Sequence, residues 1–456
     1  MNVRVSAARA SPRPEAHDAL LAPGRIAPAP LALANASERR SPAISERPTG
    51  EGPGPEEPYP SREAASAAFA AHVNRGKARA LEAIGADIVI GAREGARFQD
   101  AYSGRWYWNC HCNGGVFNLG HRNPRVIAAL RRGLDRLDVG NHHLISGHRA
   151  HLAEQLAAST GGVLAYAVFT PSGTESVDLA LRLARARTGR LGIVAASGAY
   201  HGLSGFALAA SDPRWFDPFG PAPAGFTHVP YNDPAAACAA IGADTAAVIL
   251  ESIPATLGFP APFPGYLAAV AAAAREAGAL LILDEVQTGL GRTGTTWYYE
   301  QQGVEPDMVV TGKGLGGGLY PISAVLLRAE LEEFFDVNPF AYVSTFGGAE
   351  IGCLAASAVL DQLDEPGFLA AVEARGRRFE EAFAAMPFTL RRYGLTMGLA
   401  FDDEQGGVLA AKRLIDGGVF AVYAEHDHSV TQFKPPLIVS EAEIDEIAAA
   451  VGAALS

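Results

Sequence analysis

The sequence has 456 residues, 48% of them hydrophobic, which is enough for a large domain and a smaller second one. It carries 49 acidic and 37 basic side chains, and the formal net charge is -12. This balance argues against nucleic acid and anionic membranes as partners, because both attract basic surfaces. The sequence has no run of about 18 apolar residues, so it predicts no membrane-spanning helix.

Residues 1–60 differ in composition from the rest of the chain. They hold 11 of the 30 prolines, and Tyr59 is their only aromatic residue. Such a segment buries too little apolar surface to offset the entropy lost on ordering. We therefore predict that residues 1–60 form a disordered extension.

The number and spacing of the cysteines bear on the cellular location of the protein. Cys110, Cys112, Cys238 and Cys353 are too few and too irregularly spaced for a disulfide framework in a chain of this length. We therefore expect a reducing, cytoplasmic location. Histidines lie near Cys110 and Cys112, but the segment lacks the paired C-x-x-C spacing of zinc sites. Ordinary packing is favoured, and no metal site is predicted.

Strand-like apolar runs alternate with helical stretches in the middle of the chain. The strand-like runs are YAVFTPSG, GIVAAS, AAVILES, ALLILDEV and DMVVTGK, and the helical pattern YLAAVAAAAREAG separates two of them. Such alternation predicts an α/β fold with a mostly parallel, doubly wound sheet. Polar residues follow these runs at Ser172 to Glu175, at Glu251, at Asp284 and at Lys313. They share the carboxyl edge, where open α/β sheets bind ligands.

The chain from about residue 350 combines helical patterns with short strands such as MGLAFD and GVFAVYA. We interpret it as a separate C-terminal layer, and we expect the strand-like segment GARFQDAYSGRWYWN to pack against it. The predicted domains are residues 61–115 and 346–456 for the two parts of a small domain, and residues 116–345 for the large domain.

The stretch VVTGKGLGGGLYP, residues 309–321, spaces Gly312, Gly314 and Gly317 as G-x-G-x-x-G. A dinucleotide-binding turn needs a helix after these glycines, but more glycines and a proline follow, and ISAVLL predicts a strand. A phosphate-binding P-loop is excluded, because Gly314 stands where a Ser or Thr should bind magnesium. We therefore interpret the glycines as a collar around Lys313.

A lysine amine forms Schiff bases with aldehydes, including pyridoxal phosphate, which also needs an acid at its ring nitrogen. LILDEVQTGLGRTG supplies Asp284 at the end of a predicted strand. TPSGTESVDLALRLARARTG predicts a helix that ends near Gly189, and its N-terminus would favour a phosphate at Gly173 and Thr174. Simple N-capping by Ser172 or Thr174 would explain the same turn without a cofactor.

These segments, together with AYHG, FNLGHRNPRV and STFGG, resemble the class III (ornithine/ω-amino acid type) pyridoxal-phosphate aminotransferases from about residue 90 to the C-terminus. The strings DEVQTGLGRTG and TGKGLGGG, at their mutual distance, are the most specific features. The resemblance implies the fold of a fold-type I pyridoxal-phosphate transferase. That fold has a large domain with a mostly parallel, seven-stranded-type sheet and a small α+β domain built from both chain ends.

The resemblance also implies a role for each matching residue at the ring of the cofactor. Lys313 would form the Schiff base, and Asp284 would partner the ring nitrogen. Tyr200 would stack on one face of the ring and Val286 on the other, while Gln287 would bond the ring hydroxyl.

The phosphate would lie on Gly173 and Thr174. Thr345 of STFGG would join them from a neighbouring subunit, so the resemblance implies a homodimer. The other expected cofactor-binding residues are Ser172, His201 and Glu251.

The sequence departs from the family where substrate carboxylates are bound. Members that use 2-oxoglutarate usually carry an arginine two positions ahead of A-P-P-L and a glutamate in E-P-I-Q-G-E, but here Gln432 and Thr256 take these positions. We expect Lys434 to point to the opposite face of its strand from Gln432 and not to replace the arginine. The sequence therefore predicts that 2-oxoglutarate is a poor acceptor.

The predicted function is transfer of an amino group from a primary amine, diamine or ω-amino compound to a keto or aldehyde acceptor, through a Schiff base on Lys313. A pyridoxal-phosphate-dependent aminomutase or epimerase on the same fold is the alternative, because it needs no keto acceptor. Net consumption of an acceptor separates these two functions.

Overall fold

The computed structural model describes residues 57–456, so the predicted disordered extension of residues 1–60 lies almost entirely outside the described residues. The strands are β1 Ile90–Glu94, β2 Arg97–Asp100, β3 Trp106–Asn109, β4 Tyr166–Thr170, β5 Gly192–Ala196, β6 Phe226–Val229, β7 Thr245–Glu251, β8 Leu280–Asp284, β9 Met308–Thr311, β10 Ser323–Leu327, β11 Thr389–Tyr393, β12 Thr396–Ala400, β13 Val419–Phe420, β14 Val422–Ala424 and β15 Asp427–Phe433.

The helices cover both faces of the largest sheet and much of the C-terminal part. They are α1 Arg62–His72, α2 Arg75–Ala83, α3 Cys112–Gly115, α4 Pro124–Leu134, α5 Gly147–Ser159, α6 Gly173–Thr188, α7 Gly205–Ala210, α8 Pro213–Phe216, α9 Pro234–Ala240, α10 Tyr266–Ala277, α11 Tyr299–Gln302, α12 Ala329–Val337, α13 Glu350–Leu363, α14 Phe368–Phe383, α15 Gly406–Asp416 and α16 Glu441–Leu455. Short 3-10 turns form at Asp217–Phe219 and Lys313–Gly316. Within residues 57–456, every helix is too short or too polar to cross a membrane.

The largest sheet has seven strands in the order β4-β10-β9-β8-β7-β5-β6. Strands β6, β5, β7, β8 and β9 pair in parallel, whereas β10 runs antiparallel to both of its neighbours. All seven residues of β7 are buried, as expected for a parallel strand that is covered on both faces. The predicted α/β class and the mostly parallel sheet are confirmed.

The strand predicted from ISAVLL is confirmed as β10, but its direction was not foreseen. The connection from β9 to β10 holds a single 3-10 turn, Lys313–Gly316. A parallel pair needs a longer crossover, usually with a helix, so the short connection returns β10 antiparallel. The helix that a dinucleotide fingerprint requires does not form after these glycines.

Two smaller four-stranded sheets complete the fold, with the orders β1-β2-β3-β13 and β11-β12-β15-β14. Strand β3 pairs in parallel with β13, where Trp108 lies opposite Val419. The expected packing of GARFQDAYSGRWYWN on the C-terminal part is therefore confirmed. The domain boundaries given above stay a prediction.

Candidate active site

The candidate site lies where β7, β8 and β9 end together. The parallel pairing places Glu251 opposite Asp284, and Asp284 opposite Val310. Lys313 follows two residues after the end of β9. The carboxyl edge predicted to bind a ligand therefore brings two carboxylates and the collared lysine together.

Asp284 is held in one orientation by two hydrogen bonds. Its Oδ2 lies 2.8 Å from Nδ1 of His201, and its Oδ1 accepts from the backbone N–H of Val286 at 3.1 Å. The side chain is 6% exposed. The other ring nitrogen of His201, Nε2, is buried and has no hydrogen-bond partner among the described residues. The hydrogen bond with His201 thus fixes the orientation of the Asp284 carboxylate.

Glu251 is the second carboxylate of the site. Its Oε1 accepts from the backbone N–H of Tyr200 at 2.8 Å. Burial raises the pKa of Glu251 to about 7, with His201 and Lys313 opposing the shift and Asp284 adding to it. Burial, together with Glu251 and Asp284, also raises the pKa of the Tyr200 phenol. The backbone of Tyr200 is therefore held against the Glu251 carboxylate.

Lys313 has an unusual backbone conformation, with φ at 43°. This left-handed region is costly for a residue with a side chain, and such strain is typical of functional sites. Burial lowers the pKa of the Lys313 amine, while Asp284 and Glu251 partly restore it. The lysine is partly buried, and both carboxylates act on its charge.

The glycines around Lys313 allow close approach of neighbouring side chains. A Cβ on Gly312 would lie 2.6 Å from Oγ of Ser323, and a Cβ on Gly314 would lie 2.6 Å from Nδ2 of Asn118. Real Cβ atoms do not approach so closely, so a side chain at either position would force its neighbour to move. The interpretation as a collar around the lysine agrees with these contacts.

The expected phosphate-binding residues form the start of α6. Ser172 caps this helix, its Oγ accepting from the backbone N–H of Glu175 at 3.4 Å, and the helix ends at Gly189 as predicted. A Cβ on Gly202 would lie only 2.2 Å from Oγ1 of Thr174. The first N–H groups of a helix have no partner within it and favour anions. The capping explanation and the phosphate explanation are both compatible with this geometry.

Val286 and Gln287 lie across the site from this helix. A Cβ on Gly173 would lie 3.4 Å from Cγ2 of Val286. A Cβ on Gly114 would lie 3.2 Å from Cε of Lys313 and 3.5 Å from Oε1 of Gln287, so these two side chains are close neighbours. Gly114 was not predicted as a site residue, because its role depends on contacts between distant segments.

The expectation that Lys434 points away from Gln432 is wrong. The amine of Lys434 donates to Oε1 of Gln432 at 2.6 Å and to Oε1 of Gln287 at 3.1 Å. Alternate residues of a strand point to the same face, so positions 432 and 434 share a side. Lys434 is 1% exposed and lies behind the two glutamines.

Within residues 57–456, Thr345 forms no hydrogen bond with the other predicted site residues, although Tyr342 of the same loop donates to Glu175 of α6 at 2.7 Å. Thr345 lies on an exposed loop between α12 and α13. Phe340, Val343 and Phe346 of the same loop are 75%, 49% and 54% exposed. Its role in a neighbouring subunit stays a prediction.

Two residues that sequence reasoning missed support the collar. The guanidinium of Arg292 is fully buried and donates to Oδ1 of Asn118 at 2.6 and 3.1 Å and to the backbone oxygen of Leu395 at 3.2 Å. Arg292 lies in GLGRTG and Asn118 in FNLG, two of the segments that carry the family resemblance. The resemblance could therefore have identified both residues. The contacts tie the segment after β8 to Asn118, which packs against Gly314.

The cysteines and carboxylates outside this site show no ligand set for a metal. Within residues 57–456, His, Cys, Asp and Glu side chains form no group of three that could hold a metal ion. The four cysteines are free thiols. Glu285 is buried, and its carboxylate accepts from Ser252, from Thr288 and from two backbone N–H groups. Glu285 therefore has a structural role, because its carboxylate accepts four hydrogen bonds at this edge of the sheet.

Comparison with known proteins agrees with this fold and site. The family model for class III aminotransferases matches residues 82–455. An uncharacterized aminotransferase of Archaeoglobus fulgidus is 47% identical over 386 residues, which cover 83% of this chain and 91% of the relative. The chain belongs to the class III aminotransferase family, and it is a transaminase of the fold-type I architecture.

Two solved structures illustrate the similarity. The ornithine aminotransferase of Toxoplasma gondii ME49 superposes with a TM-score of 0.79 at 26% identity, covering 87% of this chain and 96% of that chain. A thermostable (S)-enantioselective omega-transaminase of Thermomicrobium roseum superposes with a TM-score of 0.77 at 27% identity, covering 88% and 99%. Enzymes of this class depend on pyridoxal phosphate.

The buried Glu251 gives the protein a testable pH dependence. The unfolded chain releases this proton near pH 4.5 but the folded chain holds it until about pH 7, so the free energy of unfolding falls as pH rises across this window. Gln at position 251 does not titrate. Above neutral pH, the free energy of unfolding of cofactor-free Glu251→Gln should therefore be about 3 kcal/mol larger than that of the wild type. At acidic pH the two proteins should have similar free energies of unfolding.

Urea denaturation at a series of pH values checks this expectation. Glu446→Gln, at an exposed position, is the control and should leave the profile of the wild type unchanged. Parallel profiles for the wild type and Glu251→Gln would contradict the assignment of a buried, protonated Glu251.

Proposed function

We propose that the chain binds pyridoxal phosphate at the carboxyl edge of the large sheet and transfers an amino group from a primary amine, diamine or ω-amino compound to a keto or aldehyde acceptor. The observation that carries this proposal is the juxtaposition of Lys313 and Asp284 after adjacent parallel strands. An amine and a fixed carboxylate in one shielded site are the two groups that this cofactor requires.

The residues present fit the cofactor. Burial lowers the pKa of the Lys313 amine, and Asp284 and Glu251 oppose this shift. The carboxylate of Asp284 is held by His201, and the start of α6 offers free N–H groups for a phosphate. The residues that would hold the group are Ser172, Gly173, Thr174, Tyr200, His201, Glu251, Asp284, Val286, Gln287 and Lys313, with Thr345 from a neighbouring subunit.

When bound, pyridoxal phosphate supplies an electron sink that stabilises negative charge at the reacting carbon of the substrate. Asp284 would keep the ring nitrogen protonated, and His201 would keep the carboxylate aimed at it. Lys313 would first hold the cofactor and then move a proton at its Nζ atom. Its lowered pKa favours this role, because a larger fraction of the amine is neutral and able to accept a proton.

The contacts around Gln432 support a substrate other than 2-oxoglutarate. Its Oε1 accepts from Lys434, and its Nε2 donates to the backbone oxygen of Tyr423 at 3.5 Å, so both ends of the amide are engaged. Thr256 donates its hydroxyl to the backbone oxygen of Gly198 at 2.6 Å. Neither position offers a positive charge to a carboxylate. The relatives named ornithine aminotransferase and omega-transaminase agree with an amine or ω-amino donor.

A homodimer would complete the site. The loop of Thr345 exposes Phe340 and Phe346, and the segment before α5 exposes Leu144 and Ile145 at 73% and 100%. Exposed apolar side chains of this size favour an interface with another chain. We propose that Thr345 of one chain reaches the phosphate of its partner. Free cysteines agree with the cytoplasm as the location.

Asp284→Asn tests the function of the carboxylate. The amide can still accept from the Val286 N–H, so the variant should retain the cofactor, but a neutral group stabilises a protonated nitrogen poorly. Turnover of an amine donor should fall by about a hundredfold or more. Asp307→Asn is the matched control, because Asp307 binds the Leu281 N–H at the opposite edge of the sheet. Near-normal turnover in Asp284→Asn would overturn this role.

The acceptor is tested by restoring the arginine that position 432 lacks. A guanidinium paired with a carboxylate contributes about 1.5–3 kcal/mol to binding. The kcat/KM of the wild type for 2-oxoglutarate should therefore be about tenfold to a hundredfold lower than that of a variant with an arginine at position 432. Because Lys434 adjoins position 432, the variant should be Gln432→Arg with Lys434→Ala. Steady-state kinetics at saturating cofactor, with pyruvate and small aldehydes for comparison, measure the effect.

The same kinetics distinguish transamination from isomerisation. A transaminase forms one keto or aldehyde product for each acceptor consumed, whereas an aminomutase or epimerase turns over with no acceptor. If the wild type already binds 2-oxoglutarate tightly and the double variant gains nothing, the inference from Gln432 and Thr256 is wrong.

A further inference from the structure

Lys434 is a buried amine for which the proposed reaction has no role. It follows the last residue of β15, is 1% exposed and lies with its Nζ 5.1 Å from the ring centre of Phe259. Its hydrogen-bond partners are the side-chain oxygens of Gln432 and Gln287, both neutral groups. Burial of an amine with neutral partners is costly, so its contacts call for an explanation.

Lys434 sets the orientation of the Gln287 side-chain amide. A lysine amine carries at least two N–H groups in either protonation state, and it directs them at the two glutamine oxygens. If the Gln287 amide were flipped, its NH2 group would face the amine of Lys434 and the observed hydrogen bond to the Gln287 oxygen would be broken; a charged amine has no lone pair to accept from that NH2 group, and a neutral amine has one. The oxygen of Gln287 is therefore turned to Lys434, and its NH2 group is turned away.

We propose that Lys434 is a positioning residue that holds the NH2 group of Gln287 towards the ring hydroxyl of pyridoxal phosphate. This inference rests on the proposed function, because it is that function which places the ring hydroxyl beside Gln287. The amide of Gln287 would then donate a hydrogen bond to the ring oxygen. Lys434 acts through Gln287 and touches neither cofactor nor substrate.

Burial distinguishes this role from direct binding of a substrate carboxylate. Lys434 is 1% exposed and Gln432 is 8% exposed, whereas the Gln287 side chain and Lys313 are each partly exposed. The amine thus lies behind the two amides and does not line the open site. Burial lowers its pKa well below the ordinary value, and Lys313 and Arg292 act in the same direction.

A double-mutant cycle tests the proposal. Lys434→Met removes the donor at similar volume, Gln287→Met removes the amide, and the double variant removes both. Lys412→Met, at a lysine that pairs with Asp416 on the surface, is the matched control. Cofactor dissociation constants and the midpoint pH at which the visible band of the loaded enzyme changes are measured, with thermal melting alongside.

Loss of an oriented neutral hydrogen bond should weaken cofactor binding by about threefold to tenfold in Lys434→Met. Because the N–H group stabilises the deprotonated ring oxygen, its loss should raise the midpoint by about half to one pH unit. In the Gln287→Met background, Lys434→Met should add nothing to either quantity. Lys434→Arg keeps donor groups and should retain the wild-type midpoint, and it carries the test if Lys434→Met does not fold.

Fully additive effects in the double variant, or an unchanged midpoint in Lys434→Met, would overturn the positioning role while the proposed function stands. The same holds for a shifted midpoint in Lys434→Arg. A wild-type protein that takes up no pyridoxal phosphate would instead overturn the proposed function, and this inference with it.

Discussion

The parallel pairing of β8 with β9 is the constraint on which the site depends. It sets Asp284 opposite Val310, so the carboxylate that ends one strand and the lysine that follows the other meet at the same edge. A shift of one residue would turn Asp284 to the other face of the sheet. The fully buried strand β7 secures this register from the other side, since Glu251 lies opposite Asp284.

Glycine and buried polar contacts then shape the space around Lys313. Gly312 and Gly314 let Ser323 and Asn118 pack closely against the backbone, and a side chain at either glycine would push its neighbour away. Asn118 is itself fixed by the fully buried Arg292. Interlocked contacts of this kind leave Lys313 few alternatives to its strained backbone, and this is how a fold maintains strain at a reactive group.

Much of the fold was predictable from the sequence, because its signals are local. Apolar runs of strand length predicted the central strands, and Ser172 and Gly189 marked the two ends of α6. Lys313 stood out because it lies amid glycines, and Asp284 because it ends a predicted strand within LILDEVQTGLGRTG. The glycine collar was also visible locally, from the residues that follow Lys313.

The remaining features depend on contacts between distant parts of the chain. The hydrogen bond from Lys434 to Gln287 joins residues 147 positions apart, and no local pattern reveals it. The wrong direction expected for Lys434 came from misapplying the strand period, since positions i and i+2 share a face. Thr345 cannot be placed from one chain, because its expected partner site belongs to another.

The proposed function requires that Lys313, and not the buried Lys434, bonds to the cofactor. Borohydride reduction of the purified enzyme, loaded with pyridoxal phosphate, makes this bond permanent, and mass spectrometry of its peptides locates the lysine. We expect the adduct on the peptide that contains Lys313. An adduct on Lys434, on an exposed lysine such as Lys77, or on none of them would contradict it.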